Sequence, residues 1–345
     1  MSQHNDTLRD MAGGFMCSQI LYTAVSLSLA DHIHSGVRKV ARLARSLNID
    51  EVSLYRFMRM MCVLNLLEEE DDMEFSLTPL GELLRYDHPE SNHDRILYIG
   101  KVNYRAAEGM LHSVRTNKPA FDYIFREPFF SFFENHPETG KLFNEMMRQG
   151  IRSRALGLLS AYDFTGIRTI TDVGGGNGTL ASELLSRYPD VSVTVFDLGN
   201  VITEAHANSE CRLYNDRYKL VAGDFFRDPL PEGADIYILS NIIHDWEDKK
   251  AREILKSCFC AMRADSRLLI IEELLPGKVT DAPASIAADF SMMLLTGGCE
   301  RNLEQYKKIL SSSGLEITRV IPFKQIKLVK NRKHNWVIIE AKRNK

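Results

Sequence analysis

The sequence lacks several features that would place it in a specialised class of protein. It contains no apolar run of about 18 residues, the length that a membrane-spanning helix requires. Its first residues, MSQHNDTLRDMAGG, are polar and include no apolar signal core. The 43 basic and 46 acidic residues leave a net charge of only −3. We therefore expect a cytoplasmic globular protein with no membrane partner, and the overall charge does not favour nucleic acid.

Cysteine is also scarce, and its spacing matches neither common metal sites nor redox motifs. The six cysteines are scattered, and only Cys258 and Cys260 lie close together. A C-x-C pair has neither the C-x-x-C spacing of redox enzymes nor that of zinc sites. We therefore expect free thiols and no structural metal.

What the sequence does contain begins with a helical region over residues 10–165. Part of it predicts a winged helix: two short helices joined by a turn at Asn48, then a two-stranded wing around Glu69 to Phe75. Thr78 as N-cap and Pro79 as the first helical residue predict that another helix starts there.

From residue 168 the pattern changes to short apolar runs that alternate with helical segments. Seven strands are predicted, with the sequences TITDV, VSVTVFD, YKLVAGD, DIYILSN, RLLIIEEL, EITRVIPF and WVIIEAK. Helices between the first five predict a parallel, doubly wound α/β sheet. The last two strands have no helix between them, so we expect an antiparallel edge pair.

The stretch TITDVGGGNGTL, residues 169–180, predicts a ligand-binding turn between a strand and a helix. A dinucleotide fingerprint, G-x-G-x-x-G counted from Gly174, requires glycine at position 179, where this chain has Thr179. The G-x-G-x-G spacing suits a wider loop around an amino-acid-like tail, as in S-adenosylmethionine enzymes. A tight turn without a ligand remains the alternative.

Acidic residues at later strand ends extend this candidate site. Asp197 ends the second strand, 25 residues after Asp172, where a carboxylate can accept hydrogen bonds from ribose hydroxyls. Asp224 ends the third strand, where it can accept from an adenine amino group while Phe225 covers the ring. An acid in this position is also a common N-cap. Three such acids at one sheet edge favour a shared ligand.

The motifs DVGGGNGTL, VFDL, AGDFF, IIHDWED and TGGCER occur in the order found in small-molecule O-methyltransferases. Over nearly its whole length the chain resembles the caffeic acid and acetylserotonin O-methyltransferases. This resemblance implies a Rossmann-like class I methyltransferase sheet with an N-terminal, winged-helix-like dimerisation domain, and hence a homodimer. The implied domains are residues 1–105 for dimerisation, a helical connector over 106–165, and a catalytic domain over 166–345.

The resemblance also implies the methyl donor S-adenosylmethionine, with S-adenosylhomocysteine as its product. The positions that match the family's donor site are Gly174, Gly176, Asp197, Leu198, Asp224, Phe225 and Ser240. Plant members commonly carry lysine at the position of Ser240. We therefore expect the adenine-side contact there to be weaker or mediated by water.

The segment NIIHDWED follows the fourth strand and supplies a candidate general base. Methyl transfer to a hydroxyl requires loss of the acceptor's proton, and an unperturbed histidine with a pKa near ~6.5 can accept it. We assign this role to His244. The family match implies that Glu272 and Glu300 orient the ring. Glu273 is an alternative by position, but strand alternation places it on the opposite face from Glu272.

An aromatic segment, AFDYIFREPFFSFFENHPE, and nearby methionines suit an aromatic hydroxyl substrate. The family match implies that this acceptor is lined by Phe143 and Met147, plus Met292 or Met293. Asp245 is expected to touch a neighbouring hydroxyl, and Trp246 to flank the adenine side. Core packing is the alternative role for each aromatic residue.

Three other functions are open to this sequence. A winged-helix regulator would use the basic residues of segment 37–60 on DNA, but the acidic wing EEEDDME would repel phosphates. A relative that binds S-adenosylmethionine without transferring methyl groups, such as a hydroxylase or decarboxylase, is a second possibility. An NAD-dependent oxidoreductase is the third. We expect no metal, because His244 replaces the need for Mg²⁺ as an acceptor-activating ion.

Overall fold

The computed structural model describes residues 3–207, 213–323 and 334–344. The chain forms two compact units, one of Met1–Arg105 with Pro137–Met146 and one of Ala106–His136 with Met147–Lys345. The five cysteines within the described ranges are free, and Cys211 lies outside them. None of the described helices combines the length and the apolar composition that crossing a bilayer requires.

The first unit is mostly helical. Its helices are α1 (Gln3–Gly13), α2 (Phe15–Ser26), α3 (Leu29–His34), α4 (Val40–Leu47), α5 (Glu51–Val63), α6 (His93–Tyr98) and the start of α7 (Tyr104–Ala107). Helix α4 ends at Asn48 in the left-handed conformation, which confirms the predicted turn. Asp50 caps the N-terminus of helix α5, where its side chain accepts a hydrogen bond from the N–H of Ser53 at 2.8 Å.

The predicted wing is present as strands β1 (Leu67–Glu69) and β2 (Phe75–Leu77), which pair antiparallel. The helix predicted at Thr78 is shorter than expected, because Gly81–Leu84 forms only a 3-10 helix. The Thr78 hydroxyl still caps it by accepting a hydrogen bond from the N–H of Gly81.

The second unit has helices on both faces of a seven-stranded sheet. Its helices are α8 (Met110–Thr116), α9 (Ala120–Phe125), α10 (Phe129–Asn135), most of α11 (Pro137–Ala161), α12 (Thr179–Arg187), α13 (Gly199–Ala207), α14 (Asp248–Ala261), α15 (Pro283–Leu295) and α16 (Leu303–Ser311). Its strands are β3 (Thr169–Val173), β4 (Ser192–Asp197), β5 (Tyr218–Ala222), β6 (Ile236–Ser240), β7 (Arg267–Glu273), β8 (Leu315–Pro322) and β9 (Trp336–Arg343).

The strand order is β5-β4-β3-β6-β7-β9-β8. The first five strands in this order are parallel, and β9 pairs antiparallel with both β7 and β8. The seven predicted strands, the doubly wound sheet and the antiparallel edge pair are thus confirmed.

One connection differs from the prediction. The segment 223–235 between β5 and β6 contains no helix, whereas a helix was expected between each of the first five strands. Pro229 and Pro231 interrupt this segment, and proline supplies no backbone N–H for a helical hydrogen bond. The chain therefore passes from the sheet edge to its centre through turns.

Strand alternation positions the candidate site. On β7, Leu268 and Ile270 pack into the core on one face, and Leu269 and Ile271 pack into the core on the other. The parallel strands end together at one edge, where ligands bind in such folds. Every sequence-predicted acid and the histidine described below lie at or beyond this edge.

Candidate active site

The loop between β3 and α12 is a glycine turn whose backbone other residues adopt only with strain. Gly174, Gly176 and Gly178 have φ angles of +72°, +60° and +80°. A Cβ atom on Gly174 would lie 2.3 Å from Cδ1 of Ile242, which is closer than packing allows. The turn therefore leaves a bare backbone at the carboxyl end of β3.

Asp197, at the end of β4, is fastened to this turn. One of its carboxylate oxygens accepts a hydrogen bond from the N–H of Gly176 at 2.8 Å, and the other accepts from the N–H of Leu198 at 2.7 Å. Burial raises the pKa of Asp197, while these two backbone donors lower it. Each oxygen keeps a further acceptor site, which is what a pair of ribose hydroxyls requires.

Asp172 lies beneath the same turn; it is one of the three strand-end acids of the predicted site, but the sequence assigned it no specific contact. It is 1% exposed, and its Oδ2 atom has no hydrogen-bond partner among the described residues. A Cβ atom on Gly175 would lie 2.6 Å from this oxygen. Burial and the charge of Asp197 raise the pKa of Asp172 to about 7. An acid held beside a bare loop fits a ligand with an ammonium group, such as the amino-acid tail of S-adenosylmethionine.

Asp224 follows β5 and first serves its own turn. Its Oδ1 atom accepts a hydrogen bond from the N–H of Phe226 at 2.9 Å, and its Oδ2 atom lies 3.4 Å from Nε of Arg227. The carboxylate remains 27% exposed, so it can accept a further hydrogen bond. The Phe225 ring lies edge-on to Trp246 with 6.2 Å between the ring centroids.

His244 lies on a short 3-10 helix, Ile243–Asp245, just after Ser240 at the end of β6. The residue is 8% exposed. Its Nδ1 atom is 2.8 Å from Oε1 of Glu300 and 3.3 Å from Oε2 of Glu272. Because a carboxylate only accepts hydrogen bonds, Nδ1 carries a proton and donates a hydrogen bond to Oε1 of Glu300.

Glu272 also holds the backbone of this turn. Its Oε1 atom accepts hydrogen bonds from the N–H of Ile243 at 2.9 Å and of His244 at 3.3 Å. Glu273 faces the other side of the sheet, where it accepts a hydrogen bond from Nδ1 of His334 at 2.8 Å. The structure therefore brings Glu272, and not Glu273, to the ring of His244.

The protonation of His244 differs from the sequence-based expectation of an unperturbed ring. Burial lowers the pKa of His244, but the negative charges of Glu272, Asp245 and Glu300 raise it further, to about 10. Burial in turn raises the pKa of Glu272 to about 7 and that of Asp245 to about 6, although the charge of His244 lowers both. The imidazole of His244 is thus protonated at neutral pH when no ligand is bound, because three carboxylates surround it.

Nε2 of His244 is the ring nitrogen left for an incoming group. Its polar neighbours are Nδ2 of Asn241 at 3.5 Å and Oδ1 of Asp245 at 3.7 Å. Asn241 has a φ angle of +58°, a left-handed conformation that asparagine tolerates better than most residues. Asp245 therefore lies near the base, and its contact with a neighbouring hydroxyl of the acceptor stays a prediction.

Arg301 is a further part of the site that sequence reasoning missed. It is 0% exposed and donates hydrogen bonds to the carbonyl of Ile243 at 3.0 Å and to that of Trp246 at 2.7 Å. Its Nε atom binds Asp248 at 3.0 Å. The guanidinium thus holds the turn on both sides of His244. Its place directly after Glu300 in the motif TGGCER is the signal that could have identified it.

The predicted acceptor residues fall in both units. Phe143 belongs to the first unit, where its ring lies 5.6 Å from that of Tyr98. Met147 on α11 and Met292 and Met293 on α15 belong to the second unit, and all three are partly buried. Their contact with an acceptor stays a prediction.

The aromatic segment after residue 120 is mainly core. Five of its rings pack against one another with centroids 4.4–5.5 Å apart, namely Phe121, Phe125, Phe129, Phe132 and Phe133. Phe130 is different, because it stacks on Trp246 at 5.3 Å with an interplanar angle of 22°. Trp246 thus lies among Phe130, Phe225 and Phe226.

His244, Glu272 and Glu300 also have the spacing of a possible cation site, since their ligand atoms lie within 4.8 Å of one another. A cation bound there would compete with the proton that Nδ1 donates to Glu300. The absence of a metal requirement stays a prediction.

Two family models match the chain. A model of the O-methyltransferase domain matches residues 108–316, and a model of the O-methyltransferase dimerisation domain matches residues 9–86. O-demethylpuromycin-O-methyltransferase of Streptomyces alboniger is 37% identical over 311 residues, which cover 89% of this chain and 82% of that protein.

Two solved structures resemble nearly the whole chain. The crystal structure of LaPhzM has a TM-score of 0.89 and 31% identity, and the match covers 99% of this chain and 100% of that one. NcsB1, an O-methyltransferase from neocarzinostatin biosynthesis, was solved in complex with S-adenosylmethionine and 2-hydroxy-5-methyl naphthoic acid. It has a TM-score of 0.83 and 29% identity, and the match covers 95% of this chain and 96% of that one.

Proposed function

The chain belongs to the O-methyltransferase family, whose methyl donor is S-adenosylmethionine, and we propose that it methylates a phenolic hydroxyl of a small aromatic molecule. In this proposal His244 is the general base, and Glu272 and Glu300 orient it. The observation that carries the role of His244 is the buried contact of Nδ1 with both carboxylates, which leaves Nε2 for the acceptor.

The pKa of His244 is matched to that of a phenol, the group that would give up its proton to the ring. A phenolic hydroxyl has a pKa near ~10, and the carboxylates raise the pKa of His244 to about 10 as well. Proton transfer between groups of equal pKa costs little free energy. Glu272 and Glu300 then stabilise the imidazolium that results, as the aspartate does in serine proteases.

We propose that the donor is held by the glycine turn and by the strand-end acids, namely Gly174, Gly176, Asp197, Leu198, Asp224, Phe225 and Ser240. When bound, S-adenosylmethionine supplies an electrophilic methyl group on a positively charged sulfur. Asp172, which lies beneath the turn, joins this set as a partner for the ammonium group. Alignment of acceptor and methyl group can contribute up to ~7–11 kcal/mol to such a reaction.

The names of the relatives support an aromatic acceptor. NcsB1 was crystallised with a hydroxynaphthoic acid, and the relative from Streptomyces alboniger is named for O-demethylpuromycin. Met147, Met292 and Met293 are the adaptable apolar side chains that we propose as the acceptor's wall, together with Phe143. Asp245, beside Nε2, is proposed to contact a second hydroxyl.

We also propose a homodimer and no role for DNA. The match of residues 9–86 to a dimerisation domain supports the dimer. Against DNA, Lys39 lies 3.2 Å from Asp72 and 3.5 Å from Glu74, and Arg59 lies 3.1 Å from Glu69. These basic residues therefore face the acidic wing. Sedimentation analysis and a low-salt gel shift test the two statements.

The test of the proposed function is a panel of phenols, hydroxynaphthalenes and hydroxyindoles incubated with methyl-labelled S-adenosylmethionine. We expect at least one compound to gain one methyl group by mass spectrometry. Retained activity in EDTA is expected as well, because His244 takes the proton without a metal. A panel in which no hydroxyl is methylated contradicts the proposal, and loss of activity in EDTA that Mg²⁺ restores contradicts the metal-free mechanism.

A further inference from the structure

Arg154, on α11, is a partly buried cation. Its Nε atom is buried and has no hydrogen-bond partner among the described residues, and within the same residues the guanidinium forms no ion pair. Burial lowers the pKa of Arg154 to about 10, although the charges of Glu272 and Glu273 act in the opposite direction. A partly buried guanidinium that lacks an ion-pair partner among the described residues is costly, so this arrangement favours an anionic ligand.

The acid on the face of β7 that packs with α11 already accepts two hydrogen bonds. Glu273 accepts hydrogen bonds from the hydroxyl of Ser285 and from Nδ1 of His334. The guanidinium instead lies against the ring of Trp336, with its Cζ atom 5.4 Å from the ring centroid. Glu273 and Trp336 are paired across β7 and β9, so Arg154 lies at the carboxyl end of β7. That is the edge at which Glu272 holds His244.

Gly150, one turn before Arg154 on α11, leaves space for the guanidinium. A Cβ atom on Gly150 would lie 2.8 Å from Nη1 of Arg154, so the guanidinium uses the space left by the missing side chain. Met147, Gly150 and Arg154 are spaced by three and four residues and therefore share one face of α11. Met147 is one of the proposed acceptor residues, and Arg154 lies two turns further along the same face.

We propose that Arg154 binds a carboxylate on the acceptor, which makes the acceptor a hydroxyaryl carboxylic acid. Arginine is suited to this because its planar guanidinium can hold a carboxylate through two parallel hydrogen bonds. The ring of Trp336 gives the aryl group an apolar neighbour. This inference rests on the proposed methyl transfer to an aromatic hydroxyl, and it names the class of compound.

A carboxylate could also come from the methionine part of the donor. The two sources differ in position, because the glycine turn follows β3, whereas Arg154 lies by β7 and β9. In the sheet order β6 separates β3 from β7, which places those strands roughly 10 Å apart. The acceptor is therefore the source that the geometry favours.

The test compares acids with their neutral esters. The probes are 3-hydroxybenzoate, 4-hydroxybenzoate and 1-hydroxy-2-naphthoate, each with its methyl ester, and binding is measured by tryptophan fluorescence with S-adenosylhomocysteine present. We expect the wild-type protein to bind at least one acid about tenfold more tightly than its ester, because hydrogen bonds to charged groups are strong. Arg154→Met should lose this preference.

The matched control is Arg152→Met on the same helix. Arg152 is exposed and pairs with Glu183 at 3.2 Å, so its replacement should leave the acid preference unchanged. Affinity for S-adenosylhomocysteine should be equal in all three proteins, and this equality also shows that the variants are folded. If Arg154→Met does not fold, Arg154→Gln, which removes the charge but keeps a polar end group, serves in its place.

Three results overturn the inference. They are equal binding of acids and esters by the wild-type protein, a preference that survives in the Arg154 variant, and a variant that loses affinity for S-adenosylhomocysteine instead. Failure of the proposed function is a different observation, since then no hydroxyl compound, acidic or neutral, gains a methyl group. The acid preference is a binding measurement and does not depend on turnover.

Discussion

Glu272 and Glu273 are consecutive residues of β7, yet their carboxylates lie in opposite surroundings. Both are buried, with 0% and 4% exposed. Each lies beside a histidine: Glu272 is 3.3 Å from Nδ1 of His244, and Glu273 is 2.8 Å from Nδ1 of His334. The two faces of one strand thus repeat a carboxylate–imidazole pair, and only the further neighbours distinguish them.

Those neighbours decide the chemistry of each pair. Around His244, Glu300 and Asp245 add two carboxylates to that of Glu272, and together they raise the pKa of the ring to about 10. Around Glu273, the second donor is the neutral hydroxyl of Ser285, and the histidine is 32% exposed. We infer that the first pair acts in proton transfer and that the second fastens the sheet edge.

The largest expected effect comes from replacing each of the two histidines by alanine in turn. His244→Ala should lower kcat by ~10²–10⁴-fold, which is the usual contribution of a general base. His334→Ala should leave kcat within a few-fold of wild type, because that ring belongs to the other face. Steady-state kinetics with an acceptor from the panel, together with thermal unfolding to confirm folding, measures both. Equal losses in the two variants would show that the faces are not separate.

A smaller effect is expected from neutralising one carboxylate at a time. Glu272→Gln should lower kcat by roughly 10- to 100-fold, because a hydrogen bond to a charged group contributes ~1.5–3 kcal/mol. The amide oxygen can still accept from the backbone of Ile243, so the turn is retained. Glu273→Gln is the matched control, with little change in kcat. A normal kcat in Glu272→Gln contradicts its role as partner of the base.

The pH dependence sharpens the comparison further. His244 must lose a proton before it can act as a base, so kcat/KM should rise with pH. Because the carboxylates raise the pKa of His244 to about 10, this rise should lie above pH ~6.5, the pKa of an unperturbed histidine. Glu300→Gln removes a negative charge that raises this pKa. The rise should therefore move to lower pH, by about one unit, whereas Glu273→Gln should not move it. A shift to higher pH in the Glu300 variant would contradict the assignment.

The smallest effect belongs to the Glu273 face. Ser285→Ala removes one donor from a buried carboxylate and should destabilise the fold by ~1–3 kcal/mol without changing kcat. Ser291→Ala on the same helix is the control, because Ser291 is only partly buried and its hydroxyl donates to the carbonyl of Ala287 in its own helix. Denaturant unfolding measures the difference between the two. A lower kcat in folded Ser285→Ala would assign this face to catalysis.

Much of this fold could be predicted because its signals are local. The seven strands appear as short apolar runs, and the turn at Asn48 as a left-handed residue between two helices. The alternation of β7 separated Glu272 from Glu273 before any contact was known. The prediction of a helix between β5 and β6 was wrong. The prolines of segment 223–235 supply no backbone N–H for helical hydrogen bonds, so the regular alternation of strands and helices does not continue there.

By itself, the sequence determined the doubly wound sheet, the glycine turn and the identity of the candidate base, because spacing, alternation and glycine content are properties of neighbouring residues. Only the tertiary structure decided the pKa of His244, the hold of Arg301 on the turn and the lack of an ion-pair partner for Arg154 among the described residues. Those properties depend on burial and on charges from distant parts of the chain, since Glu272 and Glu300 reach the ring from 28 and 56 residues away. Electrostatic fields follow distances in space, which no local pattern of residues records.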